Sequence, residues 1–121
     1  MVCADANVLV RFIMKDNLEQ ALAARTSVLS GALFVPTEVF AEVVYVLTKV
    51  YKIGRGIVSE TLSALLPLVS TDNEAVMRAA FSYYAETRLD FIDCVLAARH
   101  SVDGTEILSF DRKLNNFIKQ L

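Results

Sequence analysis

Met1-Val2-Cys3-Ala4-Asp5-Ala6-Asn7-Val8-Leu9-Val10 is the stretch on which the fold turns. Val2, Cys3 and Ala4 form an apolar run without alternation, the pattern of a parallel strand covered on both faces, and Asp5 falls at its carboxyl end. In open α/β sheets the ligand crevice lies beyond those carboxyl ends, so an acid there stands where chemistry is usually done. Helix capping is the competing explanation. Asp5 or Asn7 can accept hydrogen bonds from the free N–H groups of a helix starting near Val8, and on this segment alone capping is favoured.

A chain of 121 residues that is 55% hydrophobic, with four Gly and two Pro, has the size and composition of one helix-rich domain, 1–121, with no linker or repeat. No apolar run approaches the ~18 residues of a membrane span, and an acid at position 5 does not suit a signal peptide. A cytoplasmic protein with no membrane partner is expected. Cys3 and Cys94 lack metal-ligand spacing and sit among apolar residues, which predicts two buried, reduced thiols.

Helices are expected over Asn7–Lys15 and Leu18–Leu29, the second stopped by Ser30-Gly31. Ala32-Leu33-Phe34-Val35 reads as a second buried strand closed by Pro36. A helix capped by Thr37 follows, with Val39, Phe40, Val43, Val46, Leu47 and Val50 on its core face and Glu38, Glu42, Tyr45 and Lys49 opposite. Solvation is the ordinary fate of such a stripe, but Glu42 lies one turn into a helix that follows a strand and can point toward the end of the first strand. Lys49 to Gly56 gathers Lys49, Lys52 and Arg55 around two glycines, a mobile basic turn suited to phosphates or simply to solvent. Further helices are expected over Val58–Leu68, despite Pro67, and Asn73–Thr87, with a vestigial strand at Ser70-Thr71-Asp72 and a cap from Asp72 or Asn73.

Asp90 opens the next helix with Asp93 three residues on, the layout of a capping box. Thr105-Glu106-Ile107-Leu108-Ser109-Phe110 reads as a β run ending on Asp111, and a terminal helix follows from about Lys113 to Gln120. Each acid has a bland explanation alone. Together, Asp5 and Asp111 end strands while Glu42 and Asp93 lie in first helical turns entering from the same edge. Four carboxylates converging there would repel one another unless protonated or bridged by cations. An all-oxygen cage selects Mg²⁺ or Mn²⁺ over zinc, and such an ion can activate water beside a phosphodiester.

The chain resembles the PIN-domain ribonucleases of the VapC type, the toxin half of toxin–antitoxin pairs. The resemblance rests on Asp5-Ala6-Asn7-Val8-Leu9-Val10, Ala41-Glu42-Val43-Val44-Tyr45-Val46-Leu47, Asp90-Phe91-Ile92-Asp93 and Ser109-Phe110-Asp111, in the family's order and spacing. It implies an α/β fold, a three-layer α/β/α sandwich around a short central parallel sheet. It also implies a catalytic, metal-binding quartet of Asp5, Glu42, Asp93 and Asp111, with Asp90 as an accessory acid and Asn7 and Ser109 as hydrogen-bonding partners behind the ligands. Magnesium-dependent endonucleolytic cleavage of RNA, a homodimer and an antitoxin inserting into the acidic groove are further implications. The sequence departs from the family pattern in Ala6, where a hydroxyl residue is common, and in Cys94, where a small Ala is common; a lost hydroxyl weakens the support behind a metal ligand.

A formal net charge of −2 is poor for a nucleic-acid binder, but two divalent ions would add four charges and leave +2. Lys49, Lys52, Arg55, Arg11, Arg99, Arg112 and Lys113 would then complete the RNA-facing potential. His100, the only histidine, reads as packing or surface. A phosphoacceptor receiver domain fits less well, since Pro36 and Asp111 occupy its candidate strand ends, and an aspartyl-phosphate hydrolase would want an Asp where Asn7 stands. The stronger alternative is a non-catalytic interaction module that kept the fold.

Overall fold

Four helix entries are set by the side chain just ahead of them, beginning with the first two. The Asp5 carboxylate accepts from Val8 N–H at 3.2 Å and the Asn17 amide oxygen from Gln20 N–H at 3.0 Å, so each caps the helix that follows it. A computed structural model describes residues 1–121. The elements run β1 (Val2–Cys3), α1 (Ala6–Met14), α2 (Leu18–Leu29), β2 (Leu33–Phe34), α3 (Thr37–Tyr45), α4 (Arg55–Leu65), α5 (Glu74–Glu86), α6 (Phe91–Asp103) and α7 (Arg112–Lys119). A π-helical stretch, Val46–Val50, extends α3, and a 3-10 turn, Leu66–Leu68, ends α4 at Pro67. The expected class is therefore present: a small parallel sheet among many helices.

The sheet is short. β1 pairs with β2 in parallel, Val2 opposite Leu33 and Cys3 opposite Phe34, and a single bridge from Phe34 to Ser70 stands where the vestigial third strand is expected. The helices carry most of the core. Phe81 of α5 meets Phe40 of α3 edge-on at 5.3 Å and stacks on Phe91 of α6 at 5.5 Å, and Tyr84 closes on Phe91 at 5.9 Å. Such ring pairs add roughly 0.5–1.5 kcal/mol each beyond burial. They also fix Phe91, the residue after Asp90, so the aromatic core sets where α6 begins.

Several expectations fail, each for a non-local reason. β1 is not covered on both faces: Val2 is 62% exposed and Cys3 is exposed, while Ala4 alone of the run is buried. The expected strand at 105–110 does not form either, and Leu108 and Phe110 are 90% and 97% exposed. Polar groups there serve the next helix instead. Ser109 Oγ accepts from Asp111 N–H at 3.0 Å, the Asn115 amide donates to the Ser109 carbonyl at 2.8 Å, and the Asp111 carboxylate caps α7 at Leu114 N–H, 2.9 Å. Thr37 is the first residue of α3 and not its cap; Asp72 accepts from its N–H at 2.8 Å and from its hydroxyl at 3.0 Å. That leaves Asn73 to cap α5, through Val76 N–H at 3.1 Å. The basic turn is pinned, since Ile53 N–H donates to Leu47 O at 2.9 Å and the Tyr51 hydroxyl to Asp16 at 2.7 Å.

Candidate active site

The acids at the start of α6 are the least explained by local structure. Asp90 occupies the cap position but makes no side-chain bond to the helix, so the expected capping box does not form. Asp93, half-buried in the first turn, is raised above the ordinary carboxylate range by partial burial first, then by Asp111 and by Asp90. Three carboxylates thus share one field, with Asp93 at its centre.

The loop before Asp90 is held from three sides. Arg55, the first residue of α4, donates from Nε to Tyr84 O at 2.9 Å and from Nη2 to Leu89 O, with its guanidinium 3.6 Å over the Tyr84 ring. Thr87 Oγ1 accepts from Leu89 N–H at 3.2 Å, and the Cys94 thiol lies 3.8 Å from Leu89 O. Arg55 therefore spends much of its guanidinium on the Asp90 loop, while it also lines the groove that holds Lys49 and Asp90. Thr87 takes no part in the expected site, although a hydroxyl three residues ahead of an Asp was a readable signal.

The other expected residues divide between two surfaces. Asp5 caps α1 and, with Asn7 and Arg11, lines a cleft of about 300 Å³ against Gln20, Ala23, Ala24 and Ser27 of α2. Arg11 donates to Asp16 at 2.8 Å, and Tyr51 joins the same pair, holding Asp16 below the ordinary carboxylate range. Glu42 is exposed on α3; its neighbours Ala41 and Tyr45 share a second groove, of about 360 Å³, with Lys49, Arg55, Asp90, Phe91 and Ile92. Lys52 and Arg112 are exposed, Arg112 directly after Asp111. Ser109 supports Asp111 by binding its N–H, the one supporting role of the expected kind that the geometry displays. His100 bonds through Nδ1 to Thr105 O at 3.0 Å, in keeping with packing.

A hard divalent cation suits this donor chemistry: carboxylates without His or thiolate, carrying a repulsion that bound charge would relieve. The acids are not a closed cage, because no three Asp, Glu, His or Cys side chains stand close enough to ligate one ion together. Asp93 feels Asp111 and Asp90, whereas Asp5 faces the α1–α2 cleft and Glu42 lies exposed on α3. No helix is long and apolar enough to cross a membrane.

Comparison with known proteins places these acids in context. The model of the PIN domain matches residues 2–119. A protein named VapC ribonuclease from Aquifex aeolicus (strain VF5) is 32% identical over 84 residues, covering 67% of this chain and 62% of the relative, so the match spans less than two thirds of that protein's length. No solved structure matches the chain.

Proposed function

We propose, from the premise that the chain belongs to the PIN domain family, that it is a metal-dependent endoribonuclease and the toxin of a toxin–antitoxin pair. The observation that carries the enzymatic part is Asp93: a half-buried carboxylate in the first turn of α6, behind an Asp90 that makes no cap bond, whose proton affinity is raised by burial and then by Asp111 and Asp90. Acids so placed without a structural partner favour a functional site. In this reading Asp5, Glu42, Asp93 and Asp111 would hold Mg²⁺ or Mn²⁺, with Asp90 beside them, after drawing closer than they stand without it, where no three of them could ligate one ion. A bound ion would supply an activated water and neutralise charge on the scissile phosphodiester. Ser109 steadies Asp111 through its N–H, Lys49, Lys52 and Arg112 meet the RNA backbone, and Asn7 and Arg11 stand beside Asp5, with Arg11 already paired to Asp16. Cytoplasmic location, an antitoxin partner and a homodimer belong to the same reading; the exposed Leu18, Leu22 and Leu29 on α2 support a protein partner.

The test is cleavage of single-stranded RNA by purified protein. Cutting should need Mg²⁺ or Mn²⁺, stop in EDTA, and stop in a folded Asp93→Asn variant. Full activity in EDTA refutes the metal-dependent reading. One observation favours the non-catalytic interaction module: Asp5 and Asp111 both serve as helix caps, a use that needs no ion. A folded wild type that cuts no RNA with either metal would select it.

A further inference from the structure

We propose that the cleft between α1 and α2 is a base-reading subsite, taking one unpaired nucleobase of the RNA next to the phosphodiester that is cut. The proposal rests on the endoribonuclease reading above. Asn7 and Arg11 are four residues apart on α1, and Gln20, Ala23, Ala24 and Ser27 recur at helical spacing on α2, so two faces enclose about 300 Å³. That is near the lower end of the roughly 300–1,000 Å³ typical of small-ligand sites. Asp5 is one of the lining residues, which puts a proposed catalytic acid in the cleft wall.

The lining chooses between a phosphate and a base. Arg11 is the only cation in the cleft, and Asp16 at 2.8 Å already neutralises it. A phosphate would therefore meet no unpaired cation among the cleft's side chains. A base meets what it needs. Val8, Ala23 and Ala24 offer an apolar floor for its face, and the Asn7 and Gln20 amides and the Ser27 hydroxyl offer donors and acceptors for its edge. None of those three side chains is spent on a hydrogen bond to the protein; Gln20 and Ser27 use only their backbone groups, toward Asn17 and Ser30. Arg11 Nε is buried without a partner. Unpaired single strands expose base edges, which is how RNA sequence is usually read.

The experiment compares the wild-type full chain with Gln20→Ala, which removes an edge contact, and Ala23→Leu, which fills the cleft from an exposed position. Each is given a randomised pool of single-stranded RNA with the metal, and base frequencies around the cuts are read by sequencing. Wild type should favour one base at one fixed position near the cut, by about tenfold. Both variants should flatten that preference while still cutting the disfavoured RNAs. A preference unchanged in both variants, or no preference in wild type, overturns the proposal. Titration of the wild type with adenosine, guanosine, cytidine and uridine, followed by NMR at the Asn7 and Gln20 side-chain amides, supplies a readout free of cleavage. Shifts with one nucleoside keep the subsite even if no RNA is cut, an outcome that would sink only the enzymatic reading; no shift with any of the four overturns it.

Discussion

Arg55 separates a structural cation from an RNA-binding one, and its replacement should be felt with no RNA present. The guanidinium gives one hydrogen bond to Tyr84 O, one to Leu89 O, and covers the Tyr84 ring. Bonds from a charged donor contribute roughly 1.5–3 kcal/mol each, and a half-buried cation over an aromatic face about 0.5–2. These do not add, because water can reach part of the loop once the side chain is gone. Arg55→Ala should therefore cost about 3 kcal/mol, which for a domain of this size is on the order of 10–15 °C in Tm. Arg55→Lys keeps the charge but cannot serve two carbonyls and stack as a plane, so it should still cost about 1.5–2 kcal/mol. Urea and thermal unfolding in EDTA, without nucleic acid, would measure both. A pure phosphate contact predicts the opposite pattern, with stability untouched and Lys an adequate substitute for RNA affinity. If both variants unfold within about 0.5 kcal/mol of wild type, the assignment of Arg55 to the Asp90 loop is wrong.

Asp93 binds its proton more tightly folded than unfolded, so its contribution to stability falls as pH rises from the ordinary carboxylate value of 3.8 through its raised folded value. Asp93→Asn should stabilise the metal-free protein at neutral pH, by less than about 1 kcal/mol given its solvent contact, and the gain should vanish in acid; a gain that persists at low pH would contradict the repulsion. Mg²⁺ at ten times its Kd should stabilise wild type by about 1.4 kcal/mol and the Asp93→Asn variant by much less, as read from melting curves, and equal responses would remove Asp93 from the ligand set. Burial pushes the Cys94 thiol up to about 11 while Cys3 is exposed, so alkylation of native protein near neutral pH should label Cys3 alone and unfolding should add Cys94. Rapid labelling of both in the native state would show that α6 opens.

The features legible in the sequence are those whose cause lies within one helical turn. Asp5 capping Val8, Asn73 capping Val76, the Leu18–Leu29 helix and the single-bridge remnant at Ser70 all follow from contacts three or four residues apart or from short apolar runs. The pairing of Asp90 with Asp93 was legible too, though its local explanation, a capping box, failed.

What the tertiary structure decided is where distant segments meet. Cys3 was expected inside, and is exposed because β1 stayed an edge; an apolar run states that a strand wants cover, and only the rest of the chain can supply it. Asp72 meets the N–H of Thr37, the first residue of α3, from 35 residues away, and Arg55 reaches carbonyls 29 and 34 residues downstream. Asp93 owes its raised proton affinity first to partial burial by the fold and then to Asp111 and Asp90. Periodicity and capping are short-range and can be read along a chain; the field at a carboxylate depends on distances through space, which the order of residues does not contain.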